Sequence, residues 1–146
     1  MLLEGLIAVL IFSMGILAIV GMQAATLKAS GDAKYRSDAG MLANQLVGTM
    51  LVSNRLPATL KANFDSSVSG APSYATWSAD VQNALPGVAA NPPTVSVVDA
   101  TDASATSRLS QVTITIFWQA PNDSALHQYI NVVEIGCAVQ TSGLCT

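Results

Sequence analysis

Three hydropathy patterns follow one another along the chain. From Gly5 to Leu27 the stretch GLIAVLIFSMGILAIVGMQAATL runs for 23 residues without a charge. A helix of that length measures about 35 Å, enough to cross the roughly 30 Å hydrocarbon core of a bilayer. Over residues 28–54 small polar and apolar positions mix, and Ala39, Leu42, Ala43, Leu46 and Met50 recur at steps of three and four. That spacing predicts an amphipathic helix with one buried stripe. Pro57 stops it, with Ser53 and Asn54 as fraying end residues. One helix from residue 1 to about 54 would be roughly 80 Å long, far more than a membrane requires. Its second half can pack on a small head while the first half projects alone.

The third pattern is that of the head. Residues 55–93 read as a connecting region with one or two short helices. Tyr74–Leu85 is the stronger one, because Trp77, Val81 and Leu85 share a face and Pro86-Gly87 ends it. Trp77 reads as a core anchor. After that the period becomes two. Thr94–Asp99 is a short strand. Ser110–Gln119 places Val112, Ile114, Ile116 and Trp118 on one face and Thr113, Thr115 and Phe117 on the other. Gln128–Ile135 is a third strand, joined to the second by the turn-rich Ala120–Leu126. Residues 100–107 (ATDASATS) read as a polar loop. The predicted class is α+β: a long N-terminal helix, membrane-spanning in its first half, packed on a small antiparallel β-sheet. The boundaries are an apolar segment over residues 1–27 and a head over 28–146. The head divides into helix 28–54, connecting region 55–93, sheet 94–136 and a C-terminal loop 137–145.

Composition narrows the function. Of 146 residues, 51% are hydrophobic and only 10% charged, against about 25% charged in an ordinary soluble domain. Nine acids against six bases leave a net charge of −3, and no two bases are adjacent, so there is no strong nucleic-acid signal. One histidine and two cysteines cannot build a His/Cys metal cluster. A Ser-His-Asp arrangement would need His127, which lies beside a hairpin loop with no glycine-framed serine in the chain. Asp99 and Asp102 are candidate Ca²⁺ ligands only in a weak sense, because two carboxylates without EF-hand spacing read better as solvated loop acids. The expectation is a non-enzymatic chain with no cofactor and no metal.

Cys137 and Cys145 lie near the C-terminus with no third partner, and read most simply as an extracytoplasmic disulfide closing a short loop. The alternative is two free thiols in a cytoplasmic domain. The first bases, Lys28, Lys34 and Arg36, follow the apolar run, which by the positive-inside rule alone would favour a cytoplasmic head. A chain that has lost a basic leader by processing reconciles the two signals.

Glu4 stands at the head of the apolar run, and an ionisable group there is a functional hypothesis by default. It either reaches the interface or meets a cation. The nearest positive charge is an α-amino group, its own at Met1 or a neighbour's. With these residues in view, MLLEGLIAVLIFSMGILAIVGMQ resembles the mature N-terminus of type IV pilins and their relatives. In that family a basic leader is cleaved, the new terminal amine is methylated, and a glutamate precedes about twenty apolar residues. DAKYRSDAGMLANQLVGTM and the Trp77…Leu85-Pro86-Gly87 stretch are most similar to the PilV type of minor pilin. The family glutamate is normally fifth, and here it is fourth. The resemblance implies a type IV pilin fold, with Glu4 and a processed, methylated Met1 as the assembly residues. It implies other pilin subunits, the inner membrane and a prepilin peptidase as partners, and a path from inner membrane with periplasmic head to extracellular filament. Pseudopilins of type II secretion systems share the N-terminal pattern. From another class, a single-span membrane protein with a ligand- or surface-binding head also fits. Glycines at 5, 15, 21, 31, 40 and 48 fit a helix that packs closely on copies of itself.

Overall fold

The computed structural model describes residues 2–99, 107–121 and 123–138. Its elements are α1 (Leu2–Val52), α2 (Pro57–Phe64), α3 (Pro72–Ala84), β1 (Thr94–Asp99), β2 (Ser107–Trp118) and β3 (His127–Ala138). The layout is a long N-terminal helix followed by two short helices and an antiparallel three-stranded sheet in the order β1-β2-β3. The chain divides into two compact units, Met1–Lys34 and Tyr35–Thr146. The first is the N-terminal part of α1, charge-free from Gly5 to Leu27 and polar from Lys28, and the second holds the rest of α1 and all later elements.

Local sequence explains the boundaries. Both short helices open on proline, whose fixed φ suits a first turn and whose missing N–H is not needed there. After α3, Gly87 adopts φ +78°, a conformation most side chains avoid. A Cβ on Gly87 would also lie 2.9 Å from the Gln119 Cβ. This close approach lets Gln119 N–H donate to the Pro86 carbonyl at 3.0 Å, tying the turn after α3 to the end of β2.

The core of the second unit lies between one face of the sheet and the helices. From α1 come Ala39, Leu42, Ala43, Leu46 and Met50, the stripe predicted from spacing; from α3 and its end, Trp77, Val81 and Leu85; from the strands, Val95, Val97, Val112, Ile114, Ile116, Trp118 and Ile135. The period-two alternation of β2 thus faces its apolar side inward as expected. Trp77 is more than a filler. Its indole Nε1–H donates to the Leu42 carbonyl at 2.9 Å, a buried bond spanning 35 residues of sequence. Tyr74 donates to the Pro93 carbonyl at 2.7 Å.

Two details differ from the sequence reading. β2 begins at Ser107 and β3 runs on to Ala138, so the hairpin is longer at its open end than the alternation alone indicated. Cys137, expected to begin a loop after the sheet, lies within β3 opposite Arg108. A ladder partner extends a strand through residues whose own propensity is neutral. Cys145, Asp102 and the polar stretch 100–106 fall outside the described residues, and with them the disulfide.

The two edges of the sheet are treated differently. The outer edge of β1 is closed by the residues after α2. Ser66 N–H and Oγ–H both donate to the Val95 carbonyl, at 2.9 and 3.0 Å, and Ser66 Oγ lies 3.2 Å from the Val95 N. The Val97 N–H donates to Asp65 Oδ2 at 3.0 Å. Asp65 Oδ1 in turn accepts from the Ser67 N–H at 2.8 Å and the Ser67 hydroxyl at 2.6 Å. Burial pushes the Asp65 carboxyl up, but the Ser67 hydroxyl, the Val97 and Ser67 amides and the charge of Lys61 outweigh it and hold the group below its ordinary value. Across the outer edge of β3, by contrast, no described residue forms a hydrogen bond.

Candidate functional site: an apolar helix surface headed by one carboxylate

The first unit consists of helix with no interior of its own. Leu3, Leu6, Ile7, Leu10, Ile11 and Phe12 are all exposed, and so is every other described large apolar side chain up to Leu27. These positions cover the whole circumference, so the segment is not amphipathic. A helix that is apolar all round belongs in a protein interior or in lipid. The helix is long and apolar enough to cross a membrane, and none of its most hydrophobic window is buried.

Two hydroxyls on the apolar run are satisfied within the helix. Ser13 Oγ–H donates to the Val9 carbonyl at 2.7 Å, and Thr26 Oγ1–H to the Met22 carbonyl at 3.0 Å. Such i−4 bonds remove the need for water, which a hydrocarbon surrounding cannot supply. At Gly5, Gly15 and Gly21 an added Cβ would meet nothing within 4 Å, leaving flat places where another backbone can approach.

Glu4 is exposed in the first turn of α1. Its charge there complements the unpaired N–H groups and the positive end of the helix dipole. Among the described residues it has neither a hydrogen bond nor an ion pair. Met1, the other predicted assembly residue, lies outside the described residues.

The head carries a second candidate that spacing could not reveal. A groove of about 350 Å³ lies between the second half of α1 and α3, lined by Gln45, Leu46, Thr49, Thr76, Trp77 and Asp80 among others. Thr49 and Thr76 give their hydroxyl protons to the Gln45 and Pro72 carbonyls, so both present lone pairs, and Asp80 adds a carboxylate. The groove is rich in acceptors. Its walls come from helices tied together by the Trp77–Leu42 bond and the core beneath it, and no sequence-local signal marks that meeting.

His127 and Asp99 do not come together. His127 opens β3, stacks on Trp118 with ring centres 5.7 Å apart, and lies 3.3 Å from Asp123 Oδ2. Asp123 Oδ1 accepts from the Ala125 N–H, which makes the pair a brace of the β2–β3 hairpin. Asp99 is exposed at the end of β1.

These features define a class no narrower than an α+β chain with an apolar N-terminal helix able to span a membrane. No protein-family model matches the chain, and neither a curated protein nor a solved structure matches it.

Proposed function

We propose that the chain is a filament subunit of the type IV pilin kind, most similar to a PilV-type minor pilin. The N-terminal helix holds it in the inner membrane with the head in the periplasm, and then packs among the helices of other subunits in an extracellular filament. A prepilin peptidase prepares its N-terminus. The observation that carries this reading is the run of α1 from Gly5 to Leu27: charge-free, exposed on every side where its side chains are described, with the Ser13 and Thr26 hydroxyls bonded to its own carbonyls, and headed by a single carboxylate without a partner among the described residues. A plain membrane anchor needs the apolar surface but gives Glu4 no task.

In a bundle of such helices Glu4 leaves water. A desolvated carboxylate is unfavourable unless a cation meets it. The terminal ammonium of a neighbouring subunit meets it only at one stagger, so the pair sets register as well as attraction. Removing one partner of a desolvated pair costs more than forming the pair gains.

The test follows Glu4→Ala and Glu4→Gln through three readouts: leader processing, head folding and the amount of subunit in sheared pili. Both variants should be processed and folded but several-fold depleted from the filament. Normal incorporation of a processed Glu4→Ala chain would refute the assembly role.

A further inference from the structure

The contrast between the two sheet edges carries a prediction about the head. An open edge strand offers a row of unpaired N–H and C=O groups to any other strand, and proteins commonly blunt such edges with charge, proline or a covering loop. The edge at β1 is blunted by Asp65 and Ser66. β3 is twice as long, 12 residues against 6, contains no proline, and carries Glu134 as its only carboxylate. Its outward side chains include Ile130 and Val132, 53% and 54% exposed.

The sequence of β3 also suits one occupant. Groups that point out of a strand edge belong to alternate residues. Two antiparallel copies of β3 therefore match only in registers whose two-fold axis passes through a residue pair. Centred on Asn131, such a pairing sets Ile130 against Val132 of the second copy and Val132 against its Ile130. On either side Gln128 faces Glu134, an amide donor beside a carboxylate. Moving the centre to Val132 would set Ile130 against Glu134. Centring on Val133 would set Val132 against Glu134, and centring on Glu134 would oppose like charges. Only the Asn131 register pairs apolar with apolar and polar with polar across this face.

We propose that two heads join edge to edge through β3, antiparallel about a two-fold axis at Asn131, into a continuous six-stranded sheet. The interface is isologous and closes at two copies. It is independent of helix packing and of Glu4.

The experiment is disulfide trapping in the full chain, in membranes, with the native chain as background. Cys at position 131 meets its own copy within the Cα separation a disulfide accepts. Position 128 lies about 20 Å from its own copy but opposite 134. Asn131→Cys should give a dimer band several-fold above background. Gln128→Cys and Glu134→Cys should stay at background alone and cross-link when co-expressed. Adding Ile130→Lys and Val132→Lys to Asn131→Cys should abolish the band while the head melts as before. A background-level Asn131→Cys band would overturn the proposal, including the case where β3 pairs with another protein's strand. Equal bands at 128, 131 and 134 would mark random collision and overturn it too. If Asn131→Cys perturbs folding, hydrogen exchange on the native chain in detergent decides. Protection of alternate β3 amides that rises with protein concentration supports the pairing, and concentration-independent exchange removes it.

Discussion

The two units use opposite chemistry on what begins as one helix. Before Lys28 the described apolar side chains of α1 point to every side and are exposed, while its hydroxyls bond to carbonyls one turn back. From Ala39 onward one stripe is buried to near completion, and the polar bonds that matter reach far along the chain, from Trp77 to Leu42 and from Asp65 to Val97. The first unit is thus built to meet a surrounding it does not itself supply. The second supplies its own. Residue type alone does not separate them, because leucine occurs in both; what differs is whether the leucines lie in one stripe or all round.

The same substitution in the two units gives the largest contrast. Leu46→Ala opens a cavity in the head core and should lower head stability by about 2–5 kcal/mol. Leu10, 61% exposed, should leave the head melt unchanged on replacement by Ala. Thermal unfolding of both variants in detergent measures the pair, and equal destabilisation would break the comparison.

Polar bonds sharpen it next. Asp65→Asn keeps the shape but replaces a charged acceptor that serves Val97 and Ser67, and should cost about 2 kcal/mol at neutral pH. The sign with pH follows from the lowered carboxyl. Its stabilising contribution is complete above the unfolded carboxyl's pKa, near 4, and is lost as pH falls through the lower folded value. The acid limb of the native stability curve should therefore be steeper than that of Asp65→Asn, as denaturant titrations at stepped pH would show. Gly87→Ala combines a strained φ with the approach of Gln119 and should cost about 1–3 kcal/mol.

Trp77→Phe retains most of the ring and removes the donor to Leu42, for an expected loss of about 1–2 kcal/mol. Its counterpart in the first unit, Ser13→Ala, should not move the head melt. The smallest effect concerns Ser110, whose hydroxyl is buried without a partner among the described residues. Ser110→Ala should fall within about 1 kcal/mol of the native chain, on either side of zero, because removing an unpaired buried hydroxyl also removes its desolvation cost.

Much of this architecture was legible in order along the chain. The charge-free run, the Ala39–Met50 stripe, the Trp77–Leu85 face and the alternation from Val112 to Trp118 each repeat at the period of their own element, and burial follows that period. Boundaries were less legible where a partner strand decides them, as at Ser107 and Ala138. The assembly candidate Glu4 stood out because a lone carboxylate beside an apolar run is anomalous in any context. The α1–α3 groove had no such mark, since its residues are ordinary polar helix positions until two helices face each other.

The sequence by itself therefore determined which segments are helix or strand, which face of each is apolar, and that the N-terminal segment has no polar side to turn to water. These are properties of neighbours within a turn or two, set by backbone geometry and side-chain spacing. Tertiary structure alone decided that Asp65 and Ser66 would close β1 while no described residue bonds across the outer edge of β3, that Trp77 would bond to a helix carbonyl 35 residues away, and that Gly87 would sit beneath Gln119. Such choices depend on which distant backbone groups are left unpaired once the core has formed. No local pattern encodes them, because the groups that satisfy one another are brought together only by the packing of the whole head.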